Sequence, residues 1–308
     1  MSGSRPAYVV EGEPLDAFTT VRTGGPAEYF ARCGSSQQLV ELLAWADAED
    51  LTIQMLGSGS NLLVADEGVA GLVVKLDKQL AEISVEGTEL HCGAGARLPA
   101  VAAAAARAGL SGIEFGVSIP GTVGGAVRMN ANAYGGELAK TLLWAEVVSA
   151  DGSERRTPDS LGFGYRSSNI AEGEVVARAC FALSEADSEA VKESLAALRS
   201  KRLESQPSGV RTFGSTFKNP TAPEAEGRTA GQLLDEAGCR DLQIGAAGLS
   251  PKHANFVVNH GGASTADVLA VMVEAQRRVR ERFSVELEPE VQTLGDVKFP
   301  EGWSGWTA

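Results

Sequence analysis

The chain of 308 residues carries a net charge of −13, with 44% hydrophobic and 22% charged residues. This is the composition of a globular protein long enough for two or three domains. So acidic a chain lacks the basic footprint of a nucleic-acid binder, and no run approaches the roughly 20 apolar residues that span a bilayer. The polar stretch 1–13 lacks the apolar core of a signal peptide, so a cytoplasmic protein with neither membrane nor nucleic-acid partner is expected. Cys33, Cys92, Cys180 and Cys239 lack CxxC spacing and read as reduced core thiols. His91, His253 and His260 show no metal-ligating spacing, so no metal is expected.

In chain order, Ser36 to Asp50 has helical apolar spacing (Leu39, Leu42, Leu43, Ala46) behind an N-cap serine at 35 or 36. Strands are expected at Leu51 to Leu56 and Gly71 to Leu76, and a hairpin over Glu82 to Ala94 turning at Glu86-Gly87-Thr88. An alanine-rich helix, Leu98 to Ala108, stops at Gly109. The glycine-rich segment Phe115 to Leu138 follows, and its interspersed Val117, Ile119, Val123, Val127 and Met129 mark it as packed. Strands are read at Leu142 to Ala150 and Gly173 to Leu183, with Asp151-Gly152 as a turn. The helix Ser188 to Glu204 precedes a boundary at Gln206-Pro207-Ser208-Gly209. Further on come a helix at Thr229 to Ala237, short strands at Leu242 to Ile244 and Ala254 to Asn259, and a helix at Ser264 to Phe283 with an S-x-x-D start. A last strand is read at Val285 to Leu294. The order is that of an α+β protein: a nucleotide-binding part, then a C-terminal lid or substrate part.

Two loops have phosphate-binding composition. Gly57-Ser58-Gly59-Ser60-Asn61 follows a strand, and its glycines would let backbone N–H groups approach an anion. Leu62 stands where a GxGxxG fingerprint needs glycine, and there is no GK[ST]. Ile119-Pro120-Gly121-Thr122-Val123-Gly124-Gly125 offers a second cradle. The pair suits a dinucleotide; two glycine turns closing a small barrel remain the plainer account.

Eight segments, in this order, resemble the UDP-N-acetylenolpyruvoylglucosamine reductase family from about Leu15 to Gly295. They are Phe18 to Phe30, Leu56 to Val64, Ile119 to Glu137, Phe163 to Ser168, Gly214 to Pro220, Ala230 to Cys239, His253 to Asn259 and Leu287 to Val291. The resemblance implies non-covalent FAD in a two-lobed region of the vanillyl-alcohol oxidase/p-cresol methylhydroxylase type, with a C-terminal α+β substrate-binding domain. The lobes would be 1–68 and 69–187, and the substrate domain 188–308. It places the FAD diphosphate against Gly57, Ser58, Gly59, Ser60, Asn61 and Leu62, and against Ile119, Pro120, Gly121, Thr122, Gly124 and Gly125. It implies NADPH as hydride donor, a UDP-sugar substrate of peptidoglycan precursor synthesis, and a monomer or weak oligomer. The short connection from Arg166 to Ser215 is similar to the subtype without an inserted tyrosine loop.

The implied chemistry delivers hydride to the methylene carbon of an enolpyruvyl group and a proton to its neighbour, so the site needs cationic or hydrogen-bonding groups on the substrate carboxylate and a proton donor. On the family pattern Arg166 grips and polarises the carboxylate, Ser215 donates the proton and Glu290 acts beside Arg166, protonated in the complex. Glu288 would share a strand face with Glu290, softened by Pro289. Tyr165, Lys218 and Asn219 match substrate contacts, while His253 and Asn255 read equally as ligands or as structural polar residues. Gly248 stands where the family more often has a larger residue, which implies a looser substrate-facing strand edge.

Overall fold

Ser35 caps the first helix, Ser36–Ala48, by accepting from the Gln38 N–H, and Leu39, Leu42, Leu43 and Ala46 bury the apolar stripe of that helix. In this computed structural model residues 4–300 and Trp303 are described; Met1, Ser2 and Gly3 of the polar N-terminal stretch lie outside the described residues. The chain divides into two units that alternate along the sequence. One comprises Met1–Glu13, Glu28–Ser58 and Ala70–Arg202; the other comprises Pro14–Ala27, Gly59–Val69 and Leu203–Ala308. The linear expectation of 1–68, 69–187 and 188–308 assumed contiguous pieces, whereas segments 14–27 and 59–69 contact the C-terminal residues.

The first unit is built on two sheets. A four-stranded sheet runs in the order Val9–Pro14, Pro26–Cys33, Val69–Leu76, Ile53–Met55, its last two strands parallel. A five-stranded antiparallel sheet runs Gly152–Arg156, Leu142–Ser149, Val175–Ala182, Glu89–Gly93, Ile83–Glu86. The period of two sends Leu90, Cys92, Ala179 and Phe181 into a core shared with helix Leu98–Arg107. The first helix packs Leu39, Leu42 and Leu43 with Leu72 and Val74.

The glycine-rich segment is packed, as its apolar residues indicate, and contains elements its composition hides. Helix Val123–Arg128 starts at Thr122, whose hydroxyl accepts from the Gly125 N–H at 3.5 Å. Asn132–Ala133 pairs with Gly136–Glu137, and Gly136 has no side chain because the Phe115 ring stands 2.3 Å from where its Cβ would be.

The second unit has a four-stranded sheet in the order Arg211–Thr212, Val257–Asn259, Ala247–Leu249, Gln243–Ile244. The capped helices Ala230–Glu236 and Thr265–Phe283 bury Leu233, Leu234, Val268 and Met272 with Leu249 and Val257. Segment Leu62–Val64 pairs in parallel with Gln292–Leu294. The expected long strand Val285 to Leu294 shrinks to those last three residues plus one isolated bridge, Phe217 to Pro289, because proline has no N–H for a continuing ladder. Gly248 is on an interior strand rather than an edge, paired with Gln243 and Val258. A Cβ there would stand 3.0 Å from the Leu242 carbonyl oxygen and 3.1 Å from His260 Nε2. The expected looseness is absent because the His260 ring takes that space. All four cysteines are buried free thiols.

Candidate active site

In the first unit the strand Ile53–Met55 feeds Gly57-Ser58 against the Ile119–Thr122 loop. The Ser58 hydroxyl donates to the Pro120 carbonyl at 2.5 Å, and a Cβ on Gly57 would lie 2.8 Å from Thr122 Oγ1. The N–H groups of Val123 and Gly124 are spent on the carbonyls of Ala96 and Ala94, each at 2.8 Å, so Gly124 serves close packing of helix on strand. Gly121 and Gly125 differ: their missing Cβ atoms would meet nothing nearer than 3.6 Å. A phosphate can approach backbone with that much room beside it. These residues fit a flavin diphosphate.

Lys75, which the sequence motifs do not single out, lies beside the Gly57 loop. Its ammonium donates to the Gly57 carbonyl at 2.5 Å. Burial, reinforced by the positive charges of Arg32 and Arg97, pushes its pKa below the ordinary lysine value. Arg32 and Arg97 set positive charge beside this half-buried cation and Asp77 sets negative charge there, and a further anion would favour its charged form. Lys75, Arg32 and Arg97 come from three separate elements, so no sequence window holds the cluster.

Tyr165 and Arg166 form the tip of a two-residue turn closed by reciprocal backbone bonds between Gly164 and Ser167, at 3.1 and 3.4 Å. The turn hangs from the glycine-rich segment: the Asn130 amide donates to the Gly164 carbonyl at 3.1 Å and to Glu137 at 3.0 Å, and the Ser168 hydroxyl donates to the Arg128 carbonyl at 2.8 Å. Arg166 sits at φ 58°, a conformation that costs a non-glycine residue energy and that clusters at functional sites. Its guanidinium donates to the Asn132 carbonyl at 3.3 Å and lies 5.7 Å from the ring centroid of Tyr165, which is 53% exposed.

In the second unit Ser215 lies on a loop held at both flanks. Gly214 N–H donates to the Ser60 carbonyl at 3.0 Å, Thr216 N–H to the Asn255 carbonyl at 2.9 Å, and Lys218 N–H to the Glu288 carbonyl at 2.8 Å. Glu290 N–H returns a bond to the Thr216 carbonyl at 2.8 Å. The Phe217–Pro289 bridge thus sets the Ser215 loop beside the Glu290 segment, with proline in the position that needs no donor. Asn61 ties the first loop to the same segment: its amide donates to the Glu290 carbonyl at 3.1 Å and its own carbonyl accepts from Gln292 N–H at 3.0 Å. Gly59, at φ +64°, would place a Cβ 2.0 Å from the Phe18 carbonyl oxygen, so only glycine fits there.

The expected substrate contacts differ in their present engagements. Lys218 Nζ lies 3.3 Å from the Glu288 carboxylate. Asn219 Oδ1 accepts from Ala230 N–H at 3.1 Å, at the start of a helix. Asn255 is buried, with both side-chain groups bonded to Phe217. His253 Nδ1 accepts from Asn255 N–H at 3.2 Å, and its ring stands 2.7 Å from the place of a Gly231 Cβ.

A family model described as UDP-N-acetylenolpyruvoylglucosamine reductase, C-terminal domain, matches residues 206–294. A model described as FAD binding domain matches residues 27–158. The UDP-N-acetylenolpyruvoylglucosamine reductase of Agathobacter rectalis is 44% identical over 302 residues, with 94% of each chain covered. The chain belongs to the UDP-N-acetylenolpyruvoylglucosamine reductase family. Another family reductase, from Symbiobacterium thermophilum, is 42% identical over 292 residues, covering 94% of this chain and 93% of the relative. The crystal structure of the Thermus caldophilus reductase aligns with a TM-score of 0.79 at 37% identity, covering 93% of this chain and 98% of that one. Membership makes the chain an FAD-containing oxidoreductase of α+β fold, as its ordered motifs implied. Among the described residues no helix is long and apolar enough to cross a membrane.

Proposed function

We propose that the chain reduces the enolpyruvyl group of UDP-N-acetylglucosamine enolpyruvate to the lactyl ether of UDP-N-acetylmuramate, in the cytoplasm, with NADPH as electron source. When bound, FAD supplies the hydride, taken from NADPH and delivered to the substrate's methylene carbon. The flavin is assigned to the unit that holds Gly57, Ser58 and the loop 119–125, and the nucleotide sugar to the C-terminal residues from 203 on, where Lys218, Asn219, His253 and Asn255 lie; Tyr165 adds a contact from its turn.

Arg166 grips the substrate carboxylate through parallel N–H donors and polarises it as charge develops on the adjacent carbon. Ser215 Oγ gives its proton to that carbon, and the resulting alkoxide is reprotonated from water. Glu290, protonated in the complex, donates a hydrogen bond to the same carboxylate. The observation that carries this reading is the Phe217–Pro289 bridge, which holds the serine and glutamate segments in one register inside a chain of this family.

The test is a flavin spectrum taken anaerobically, first with NADPH and then with the UDP-enolpyruvyl sugar. Bleaching followed by return of the yellow colour on sugar addition is expected. A flavin that bleaches but returns only with oxygen would mean an oxidase, and a colourless protein that takes up no FAD would overturn the reading.

A further inference from the structure

The outer face of the five-stranded sheet carries a side-chain cluster for which the reductase chemistry has no use. Glu89 and His91 are two apart on one strand and so share a face. Cys180 is the Cα partner of His91 on the next strand, and Glu86 is the Cα partner of Glu89 on the other side. The alternate residues Leu90, Cys92 and Phe181 fill the core beneath. His91 Nε2 lies 3.3 Å from Glu89 Oε2 and 3.8 Å from Glu86 Oε2. Cys180 Sγ lies 3.6 Å from Glu89 Oε2 and 3.9 Å from His91 Nε2.

The separations among Glu89, His91 and Cys180 are the edges of one face of a small tetrahedron. Ligand atoms held about 2.0–2.3 Å from a zinc ion stand roughly 3.3–3.8 Å from one another. The donor set is one sulfur, one imidazole nitrogen and carboxylate oxygens, the mixture that borderline-soft divalent metals prefer. The geometry points to a site for a divalent transition-metal ion of the zinc type, held by Cys180 Sγ, His91 Nε2 and Glu89.

In the metal-free cluster the Cys180 thiol donates to the Glu89 carboxylate, and the His91 ring lies against the carboxylates of Glu89 and Glu86. A divalent cation would replace the thiol's hydrogen bond to Glu89 with metal bonds to both groups, displacing the thiol proton to solvent on binding. Arg155 stacks 4.1 Å over the Trp144 ring, and Trp144 is the Cα partner of Cys180 on its other side. The positive charge of Arg155 favours the thiolate. The three ligands would tie together two neighbouring strands of the sheet, with the fourth position left to water. The expectation of no metal rested on spacing along the chain, and here the sulfur is brought in by strand pairing from 89 residues beyond His91.

The experiment is metal titration of the chelator-treated holoenzyme with cobalt(II) and zinc(II). One equivalent of cobalt is expected to bind with tetrahedral d–d bands and a thiolate-to-cobalt charge-transfer band, and zinc to displace it and raise Tm. His91→Gln, which alters a half-buried side chain, is expected to weaken zinc binding by more than about 100-fold and remove the Tm rise while flavin content is unchanged. Cys180→Ser is expected to abolish the charge-transfer band, and Cys92→Ser to keep it. No stoichiometric binding by the unaltered protein, or binding equally tight in His91→Gln, would overturn the site.

Discussion

Asn255 takes both backbone polar groups of Phe217: its Oδ1 accepts from the Phe217 N–H at 2.9 Å and its Nδ2 donates to the Phe217 carbonyl at 2.8 Å. A side-chain amide here does what a neighbouring strand would do, two residues from Ser215. With only 3% of Asn255 exposed, water cannot replace it. Asn255→Ala would leave a buried donor and a buried acceptor unpaired, each costing about 1–3 kcal/mol. The expected outcome is a lower Tm together with a lower rate of substrate-driven flavin reoxidation. A raised KM at unchanged Tm would instead mean that Asn255 contacts substrate directly.

Ser215 itself separates the two half-reactions. If its hydroxyl supplies the proton, Ser215→Ala should leave flavin bleaching by NADPH at its normal rate. Reoxidation by the enolpyruvyl sugar should slow by about 10²–10⁴-fold, the usual contribution of a positioned general acid. Stopped-flow absorbance of each half-reaction, measured anaerobically, reads both rates. Equal slowing of both would remove Ser215 from the proton-donor role.

The elements with strong period and clear caps were legible in the sequence: the helices at 36–48, 98–107, 188–205 and 265–283 each begin within one residue of expectation. Helix Val123–Arg128 was not, because Val-Gly-Gly has poor helix propensity and forms only where Thr122 caps it and Ala94 and Ala96 accept its first N–H groups. The site motifs were legible one at a time, as Arg166, Ser215 and Glu290. What the sequence could not reveal was the scaffolding between motifs: Asn255 against Phe217, Asn61 against Glu290, and Lys75 against Gly57. Each joins residues at least 18 apart in the chain, and no local pattern encodes such a pairing.

Lys75 gives the cofactor reading a test independent of turnover. Its ammonium, held below the ordinary lysine pKa mainly by burial and also by Arg32 and Arg97 against the opposing Asp77 carboxylate, gains a further counter-charge when a diphosphate arrives. Lys75→Met keeps the length of the apolar stem and removes the charge. We expect FAD to dissociate more readily, with affinity falling by about 10–100-fold if the loss corresponds to a charge-assisted hydrogen bond of 1.5–3 kcal/mol. Fluorescence of released flavin measures it. Unchanged affinity would place the diphosphate elsewhere.

His253 predicts an acid limit to stability. Its Nδ1 accepts the Asn255 N–H, so the folded state needs that nitrogen unprotonated. Burial, with a smaller contribution from Arg240, lowers its pKa below the ordinary histidine value. Folding therefore favours the neutral ring, and the unfolded chain binds the extra proton. Stability from this group is complete above about pH 6.5, the unfolded value, and is lost as pH falls from there through the lower folded value. Denaturant unfolding between pH 7.5 and 5 should show stability falling with acid, and His253→Gln should fall less steeply because it has no ring to protonate. A variant slope equal to that of the unaltered protein would show that His253 does not set the acid limit.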